Sequence, residues 1–242
     1  LRCRGKLRRD CLFHQVTEGE AYRPHLRDAA IACGAFTFFA KTGEDDAFLE
    51  EVLGWAERGI PVYGWTDNEI AFVRTLSRFG DYVVPSDWSC NHSFFGGEAP
   101  VRQRQHCVPA KIKADLRKHY LAVVVSDGDN VQWLERNFLG DGLFGQRTAG
   151  ACFRKMSWTA PPLLARICQP ALGKAYAAAK NDTFVCGVSG IGYTNCMTYP
   201  EELLPHYAEQ TAQAMREADL HVLALLDNVA HTGGGNAERR LA

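Results

Sequence analysis

Short apolar runs of strand length alternate along this chain with segments of helical periodicity, and this alternation limits the fold more than any other feature. Chains of this kind build parallel sheets whose strands are joined by helices. The pattern predicts an α/β chain of parallel β/α units, either as a partial (β/α)-barrel-like sheet or as an open doubly wound sheet. Strands are predicted over residues 34–40, 60–65, 81–85, 119–125, 183–188 and 220–226, with 150–158 a weaker one, and helices over 43–59, 66–80, 161–180 and 200–219.

Polar residues follow the predicted strands at the points where the strands should end. The stretch VVVSDGDN (123–130) shows this most clearly, because three valines lead into Asp127, Asp129 and Asn130. Parallel β/α sheets bind ligands at the carboxyl ends of their strands, where the loops converge. We therefore expect a shared polar rim at one edge of the sheet.

Each acid of this rim fits two roles. Asp127 and Asp129 can cap the next helix through its free N–H groups, and a ligand-binding role suits them equally well. Several acids beside aromatic rings favour a ligand, and a sugar fits because its C–H face stacks on rings while its hydroxyls need hydrogen bonds. We assign substrate binding to Trp65, Asp67, Asp87, Trp88, Asn91, Asn130, Trp133, Ser189, Tyr193 and Asn228.

Composition and motifs exclude several classes of partner. The 242 residues carry a formal net charge of −1, so no basic face predicts a nucleic-acid partner, and no apolar run has membrane-spanning length. The nine cysteines form no C-x-x-C and the eight histidines no H-E-x-x-H, so no structural zinc site is expected. The glycines of GVSGIGY (187–193) do not follow the order found in phosphate-binding loops. We expect them instead to form a tight turn that presents Tyr193. No nucleotide cofactor is expected.

A polar stretch with two prolines over residues 96–118 predicts a linker. It divides the chain into the end of an N-terminal α/β region with its linker, residues 1–108, and a C-terminal β/α domain, residues 109–242. The chain begins with Leu1, and its basic start leads into no apolar signal region. We expect a piece of a longer protein that lacks its N-terminal domain. Localisation stays open, because a signal for secretion or periplasmic export would lie in the longer precursor.

Four motifs together resemble those of the GxGYxYP family of glycoside hydrolases. They occur in the family's order and span about Arg27 to Asn228. The resemblance implies a carbohydrate-processing role and a family C-terminal domain that begins near Lys111. One departure is that Asn195-Cys196 stands where the family name has Tyr-Pro, and Tyr199-Pro200 follows four residues late. The motifs are YGWTDNEIAFVRTLSRFG (63–80), VPSDWSCNHSFFGG (84–97), SDGDNVQW (126–133) and SGIGYTNCMTYP (189–200).

Glycoside hydrolysis needs two carboxyl groups on either side of the scissile bond, and these residues offer several. Asp127 and Asp129 share one turn, so we expect one of them to act with an acid from another strand, Glu69 or Asp227. The proton donor needs a raised pKa, which a poorly hydrated position supplies. Two alternatives stay open. One is a metal-dependent carbohydrate esterase or deacetylase with a divalent cation at Asp127 and Asp129, and the other is a non-catalytic carbohydrate-binding module.

Overall fold

The structure is a computed structural model, and it describes residues 4–15, 24–66, 68–97, 101–108, 113–138, 144 and 155–226. Parallel strands alternate with helices and form two sheets, as the sequence predicts. The first sheet holds β1 (Arg8–His14), β2 (Ala35–Phe38), β3 (Pro61–Tyr63) and β4 (Tyr82–Val84), in the order β2-β1-β3-β4. All of its neighbouring strands run parallel.

Helices connect the strands of the first sheet. They are α1 (Arg27–Cys33), α2 (Asp46–Trp55), α3 (Glu69–Phe79) and the short α4 (His92–Phe95). The apolar residues of α2 and α3 recur at helical spacing and are buried in one cluster, because each helix covers the sheet with a single face. Among the described residues, no helix combines the length and apolar character needed to cross a membrane.

The second sheet holds β5 (Val124–Val125), β6 (Ser157–Ala160) and β7 (Thr183–Cys186), in that order and parallel. Its helices are α5 (Trp133–Asn137), α6 (Leu164–Ile167), α7 (Gln169–Ala178) and α8 (Leu204–Glu217). Residues 222–226 run beside β7, where Cys186 and Leu223 form a parallel bridge. This sheet therefore repeats the β/α arrangement of the first.

Two sets of backbone hydrogen bonds join the sheets. The Tyr193 N–H donates to the Val83 carbonyl at 2.7 Å, and the Val83 N–H donates to the Tyr193 carbonyl at 3.0 Å. The Val131 N–H, at the start of the helical segment that includes α5, donates to the Pro85 carbonyl at 2.9 Å, just beyond β4. The carboxyl ends of β4 and β5 are thereby brought to one place.

Strand β4 contributes to both hydrophobic cores. Val83 packs in the cluster of the first unit, whereas Tyr82 and Val84 pack in the cluster around Trp158 and Phe184. Successive side chains of a strand point to opposite faces, so a fully apolar strand can serve two cores. All three residues of β4 are buried, with exposed fractions of 3% or less.

The structure differs from the predicted elements at several places. The N-terminal strand β1 was not predicted, because its first three residues, Arg8, Arg9 and Asp10, are charged and shorten the apolar run. In the structure β1 is paired with both β2 and β3. Of the strand predicted over 119–125, only Val124–Val125 is paired as a strand. Residues 101–108 of the predicted linker contact the second unit, where the Gln105 amide exchanges hydrogen bonds with the Phe184 backbone at 2.6 and 3.2 Å.

We predict that Gly192→Ala destabilises the protein by about 1–3 kcal/mol, the usual cost of overpacking. An added Cβ would lie 2.4 Å from the Tyr82 ring and 2.7 Å from the Val83 carbonyl oxygen, so the Tyr193–Val83 pairing would have to shift. Gly54→Ala is the matched control, because a Cβ within α2 at that site meets nothing within 4 Å. It should stabilise by roughly 0.5–1 kcal/mol. Urea denaturation measures both, and equal midpoints for the two variants would contradict the prediction.

Candidate functional site

The Asp127-Gly128-Asp129 turn leaves β5 and is held tightly against the neighbouring strands. Its Gly128 N–H donates to Thr159 Oγ1 at 2.8 Å, and that hydroxyl donates to the Val125 carbonyl at 3.2 Å. A Cβ on Gly128 would lie 1.7 Å from the Thr159 carbonyl oxygen, and one on Gly187 would lie 3.1 Å from the Asp129 Cα. Only glycine allows so close an approach at Gly128. The turn is therefore fixed on both sides.

Asp129 is almost fully buried, with 9% of its surface exposed. Burial first of all, and then the charges of Asp127 and Glu69, raise the pKa of its carboxyl group to about 7 against the lowering effect of its own backbone N–H. A carboxyl group with such a pKa holds a proton over much of the neutral range. Asp129 is thus suited to donate a proton to a leaving group.

Asp127 has a different environment on the same turn. Its side chain reaches solvent, although the surrounding protein still raises its pKa through desolvation and through the Glu69 charge. The Asn130 amide donates to Asp127 Oδ1 at 3.0 Å, which lowers the pKa and favours the charged form. Asp127 also has a backbone φ of 73°, a left-handed conformation that Asp tolerates better than most residues. The two acids of the turn therefore differ in their readiness to ionise.

A chain of side-chain hydrogen bonds extends from this turn to the first unit. Gln132 Nε2 donates to Asn130 Oδ1 at 3.2 Å and to Asp87 Oδ1 at 2.9 Å. Asp87 follows β4 and is buried, with an exposed fraction of 3%. Asp127, Asn130, Gln132 and Asp87 thus form one polar network across the junction.

Glu69 reaches the same region from the first turn of α3. Tyr193 donates its hydroxyl hydrogen bond to Glu69 Oε1 at 2.8 Å, and the Tyr193 ring stacks on Trp65 with centroids 6.2 Å apart. Desolvation and the bond to Glu69 both raise the pKa of Tyr193, so it stays a proton donor to that carboxylate. The Glu69 charge also acts on Asp127 and Asp129. The two units therefore supply acids to one place, the candidate cleft.

The other predicted site residues lie in varied surroundings. Trp133 packs against Phe138 and Trp158 in the core, with centroids 5.1 and 6.0 Å away. Ser189 is buried, and its hydroxyl accepts a hydrogen bond from the Leu226 N–H at 3.3 Å. Trp88 is 38% exposed and lies under the Arg136 guanidinium at 5.9 Å. Asn91 precedes α4 with an exposed side chain. Predictions for Asp67, Asp227 and Asn228 concern residues outside the described part of the chain.

Capping does not account for the acids of the turn. Asp127 Oδ1 accepts from the Asn130 side-chain amide, and among the described residues neither Asp127 nor Asp129 accepts at its side chain from a backbone N–H of the helical segment that begins at Val131. For α3 the cap is Asn68, whose side chain accepts from the Ala71 N–H at 3.3 Å, so the helix begins at Glu69 and not directly after Thr66. Because Asn68 provides the cap, the carboxyl group of Glu69 is available to accept the hydrogen bond from Tyr193.

Two further polar residues of the cleft have no clear sequence signal. Gln132 links Asp87 to Asn130, and Thr159 holds Gly128. Gln132 lies within the motif SDGDNVQW, and its closeness to Asp127 in the sequence could have indicated a place in the site. Thr159 lies in β6 (Ser157–Ala160), one residue beyond the weakest predicted strand, 150–158, and its role depends on the close approach of Gly128.

Metal-ligand geometry in the described residues favours a different place. His92, Glu135 and Cys168 offer ligand atoms that all lie within 4.8 Å of one another, whereas Asp127, Asp129 and Glu69 do not meet that condition together. A cation bound at Asp127 and Asp129 therefore needs oxygen ligands from backbone, amides or water as well. That cation site stays a prediction.

Comparisons with known proteins agree with the sequence motifs. Residues 117–240 match the "GxGYxYP putative glycoside hydrolase C-terminal domain", and residues 12–97 match the "GxGYxYP third domain". The fold resembles a crystal structure of "a putative hydrolase" from Bacteroides thetaiotaomicron VPI-5482, with a TM-score of 0.72 and 21% identity over 90% of this chain. The alignment covers 42% of that protein, so this chain spans less than half of its length. No curated protein sequence matches the chain.

We predict that stability falls as the pH rises from 5 to 8, and that Asp129→Asn removes part of this fall. The folded pKa of Asp129, about 7, lies above the unfolded value of about 3.9, so the folded state binds the proton more tightly. Stability from this group is present below the unfolded pKa and is lost as the pH rises through 7. Asp129→Asn should therefore gain on the order of 1–3 kcal/mol relative to the parent between these pH values.

Urea denaturation at pH 5 and pH 8 measures this difference. Exposed Glu209→Gln is the control and should follow the parent at both pH values. The parent and Asp129→Asn should still share a fall in stability with rising pH, because burial also raises the pKa of Asp81 to about 7. Parallel pH profiles for the parent and Asp129→Asn would contradict the prediction.

Proposed function

Because the chain belongs to the GxGYxYP family, we propose that its cleft hydrolyses glycosidic bonds in an oligo- or polysaccharide. One observation carries the proposal: Asp129, with a pKa of about 7, lies within the electrostatic reach of Asp127 and Glu69. Acids in such unequal environments can divide the roles of proton donor and ionised partner. The family model that matches residues 117–240, a "putative glycoside hydrolase C-terminal domain", supports the same chemistry.

In this proposal Asp129 is the general acid that protonates the leaving-group oxygen. Glu69 is the ionised partner across the cleft, and it either attacks the sugar or activates water. The proposal requires these two carboxyl groups to be about 5–9.5 Å apart, the range that glycoside hydrolysis uses.

Asp127 has a supporting role in the same proposal. Its hydrogen bond from Asn130 favours the charged form, and its charge raises the pKa of Asp129. An ionised Asp127 also stabilises the positive charge that develops on the sugar ring in the transition state. Asp127 thereby helps to keep Asp129 protonated and ready to act.

Tyr193 positions Glu69 in this scheme. Its hydroxyl group donates to Glu69 Oε1 at 2.8 Å, and its ring is stacked on Trp65. Trp65 is half-buried, so part of its ring remains accessible to a sugar face. Trp88 and Asn130 extend the polar and aromatic lining, and the buried Asp87 accepts a hydrogen bond from Gln132 behind it.

The substrate is best sought by a turnover screen of the chain against a library of glycans, with reducing-end release as the readout. We predict that Asp129→Asn and Glu69→Gln each lower kcat by roughly 10²–10⁴, because an amide can neither donate the proton nor carry the charge. Asp81→Asn is the matched control. Asp81 is equally buried and also has a pKa of about 7, but it lies at the amino end of β4. Turnover that survives Asp129→Asn would contradict the assignment.

A second prediction separates the proton donor from the partner carboxylate. An aryl glycoside with an acidic phenol leaves without protonation, so Asp129→Asn should lose less than about tenfold in kcat on it, against roughly 10²–10⁴ on the natural glycan. Glu69→Gln should lose activity on both substrates. Equal losses of Asp129→Asn on both would remove Asp129 from the acid role.

The same screen distinguishes the alternatives. Acetate release that requires a divalent cation and is lost in Asp127→Asn would favour the esterase or deacetylase. Glycan binding without any turnover, unchanged in Asp127→Asn and Asp129→Asn, would favour a binding module. Either outcome would overturn glycoside hydrolysis at this cleft.

A further inference from the structure

Three side chains with metal-binding atoms meet outside the group of acids just described, those of His92 and Cys168 buried and that of Glu135 partly buried. His92 comes from the start of α4, Glu135 from α5, and Cys168 from the break between α6 and α7. Their ligand atoms all lie within 4.8 Å of one another. The exposed fractions are 3% for the His92 side chain and 12% for that of Glu135. Residues this far apart in sequence form no metal-binding motif, so only the fold brings them together.

We propose that His92, Glu135 and Cys168 form a binding site for a thiophilic divalent cation of the zinc type. Imidazole nitrogen, thiolate sulfur and carboxylate oxygen are the ligands that zinc takes in proteins. Zinc–ligand bonds of about 2.0–2.3 Å place neighbouring ligand atoms about 3.5 Å apart in a tetrahedron. Side-chain movements of about 1 Å would therefore close this group around an ion, and a water molecule would complete the four ligands.

The hydrogen bonding of His92 supports a cation. Its Nε2 contacts Glu135 Oε1, whereas its buried Nδ1 has no hydrogen-bond partner among the described residues. With the proton on Nε2, the Nδ1 lone pair is free for a cation. With the proton on Nδ1, the Nε2 lone pair faces a carboxylate oxygen, and a cation between the two removes that repulsion. Either tautomer leaves His92 better satisfied with an ion bound.

Charge balance also fits the buried position. On binding, the Cys168 thiol loses its proton to solvent, and the thiolate and the Glu135 carboxylate together neutralise a divalent ion. A neutral group costs far less to bury than an isolated charge. His92 also lines a cavity of about 450 Å³ beside Phe13, Tyr63 and Ile167, which provides space for an ion to approach.

The site would join the two units of the chain. His92 belongs to the segment after β4, and Glu135 belongs to the helical segment that follows the Asp127–Asn130 turn. A bound ion would fix this helix against the first unit without touching the acids of the cleft. The inference goes beyond the proposed function, because it concerns a structural ion and does not depend on which reaction the cleft performs.

The test uses the full 242-residue chain, freed of metal by a chelator and then titrated with Zn²⁺ and with Co²⁺. We expect one Zn²⁺ per chain by elemental analysis and a thiolate-to-cobalt charge-transfer band in the near ultraviolet. At a hundredfold excess of free Zn²⁺ over its dissociation constant, Tm should rise by roughly 5–10 °C. A Co²⁺ spectrum without the thiolate band would overturn the proposal without any variant.

Matched cysteine variants locate the site. Cys168→Ser should lose the charge-transfer band and weaken Zn²⁺ binding by at least about 10-fold, since the loss of even an outer-shell partner of a metal ligand typically costs about 10–100-fold. Cys11→Ser is the control, since Cys11 is also buried and lines the same cavity but lies outside the three-residue group. It should keep both the band and the affinity. Cys168→Ser binding Zn²⁺ as tightly as the parent would overturn the proposal, whatever the outcome of the glycan screen.

Discussion

The backbone pairing between Tyr193 and Val83 is the contact on which the rest of the site depends. It adds the loop after β7 to the edge of β4, so an element of the second sheet completes the first. Gly192 makes this possible because any side chain there would overlap the Tyr82 ring and the Val83 carbonyl. Together with the hydrogen bond from the Val131 N–H to the Pro85 carbonyl, this pairing fixes the acids of the two units relative to one another. The closely spaced glycines are thus explained by backbone contact and not by phosphate binding.

Burying Asp129 has a cost that the fold must offset. The carboxyl group is desolvated beside two other acids, which disfavours its charged form and raises its pKa. The turn that carries it also includes a left-handed Asp127 and is held by the hydroxyl of Thr159. Strained and poorly solvated groups commonly persist where function requires them, because the surrounding structure over-determines their positions. The buried Asp129 lowers the free energy of unfolding at neutral pH, and such a cost is typical of a residue with a role in chemistry.

The sequence predicted the parallel β/α arrangement well, and it predicted the local details less well. Apolar runs located β2, β3, β4 and β7, and helical periods located α2 and α3, because the strands are short apolar runs and each of these helices buries one face. Strand β1 was missed because its first three residues are charged, although its last four are buried. For the site, strand exits pointed to Asp127, Asp129 and Glu69. They also pointed to Trp133, whose partly buried ring packs against Phe138 and Trp158.

What the sequence could not show was the contact between residues far apart in the chain. The hydrogen bond from Tyr193 to Glu69 joins positions 124 residues apart, and the one from Gln132 to Asp87 joins positions 45 apart. The group of His92, Glu135 and Cys168 has the same character. No local spacing encodes such contacts, since they follow from how two sheets are packed together.

The loop from Ser189 to Pro200 explains how the second unit controls an acid of the first. It contacts α3 at three levels: Tyr193 bonds to Glu69 at its start, the Asn195 N–H donates to Ser77 Oγ at 2.8 Å, and the Tyr199 hydroxyl donates to the Gly80 carbonyl at its end. Tyr199 therefore has a structural role, although it stands four residues later than in the family name. A helix fixed at both ends by one loop cannot rotate independently of that loop. The position of Glu69 is consequently set by the same segment that pairs with β4, which ties the geometry of the cleft to the junction between the sheets.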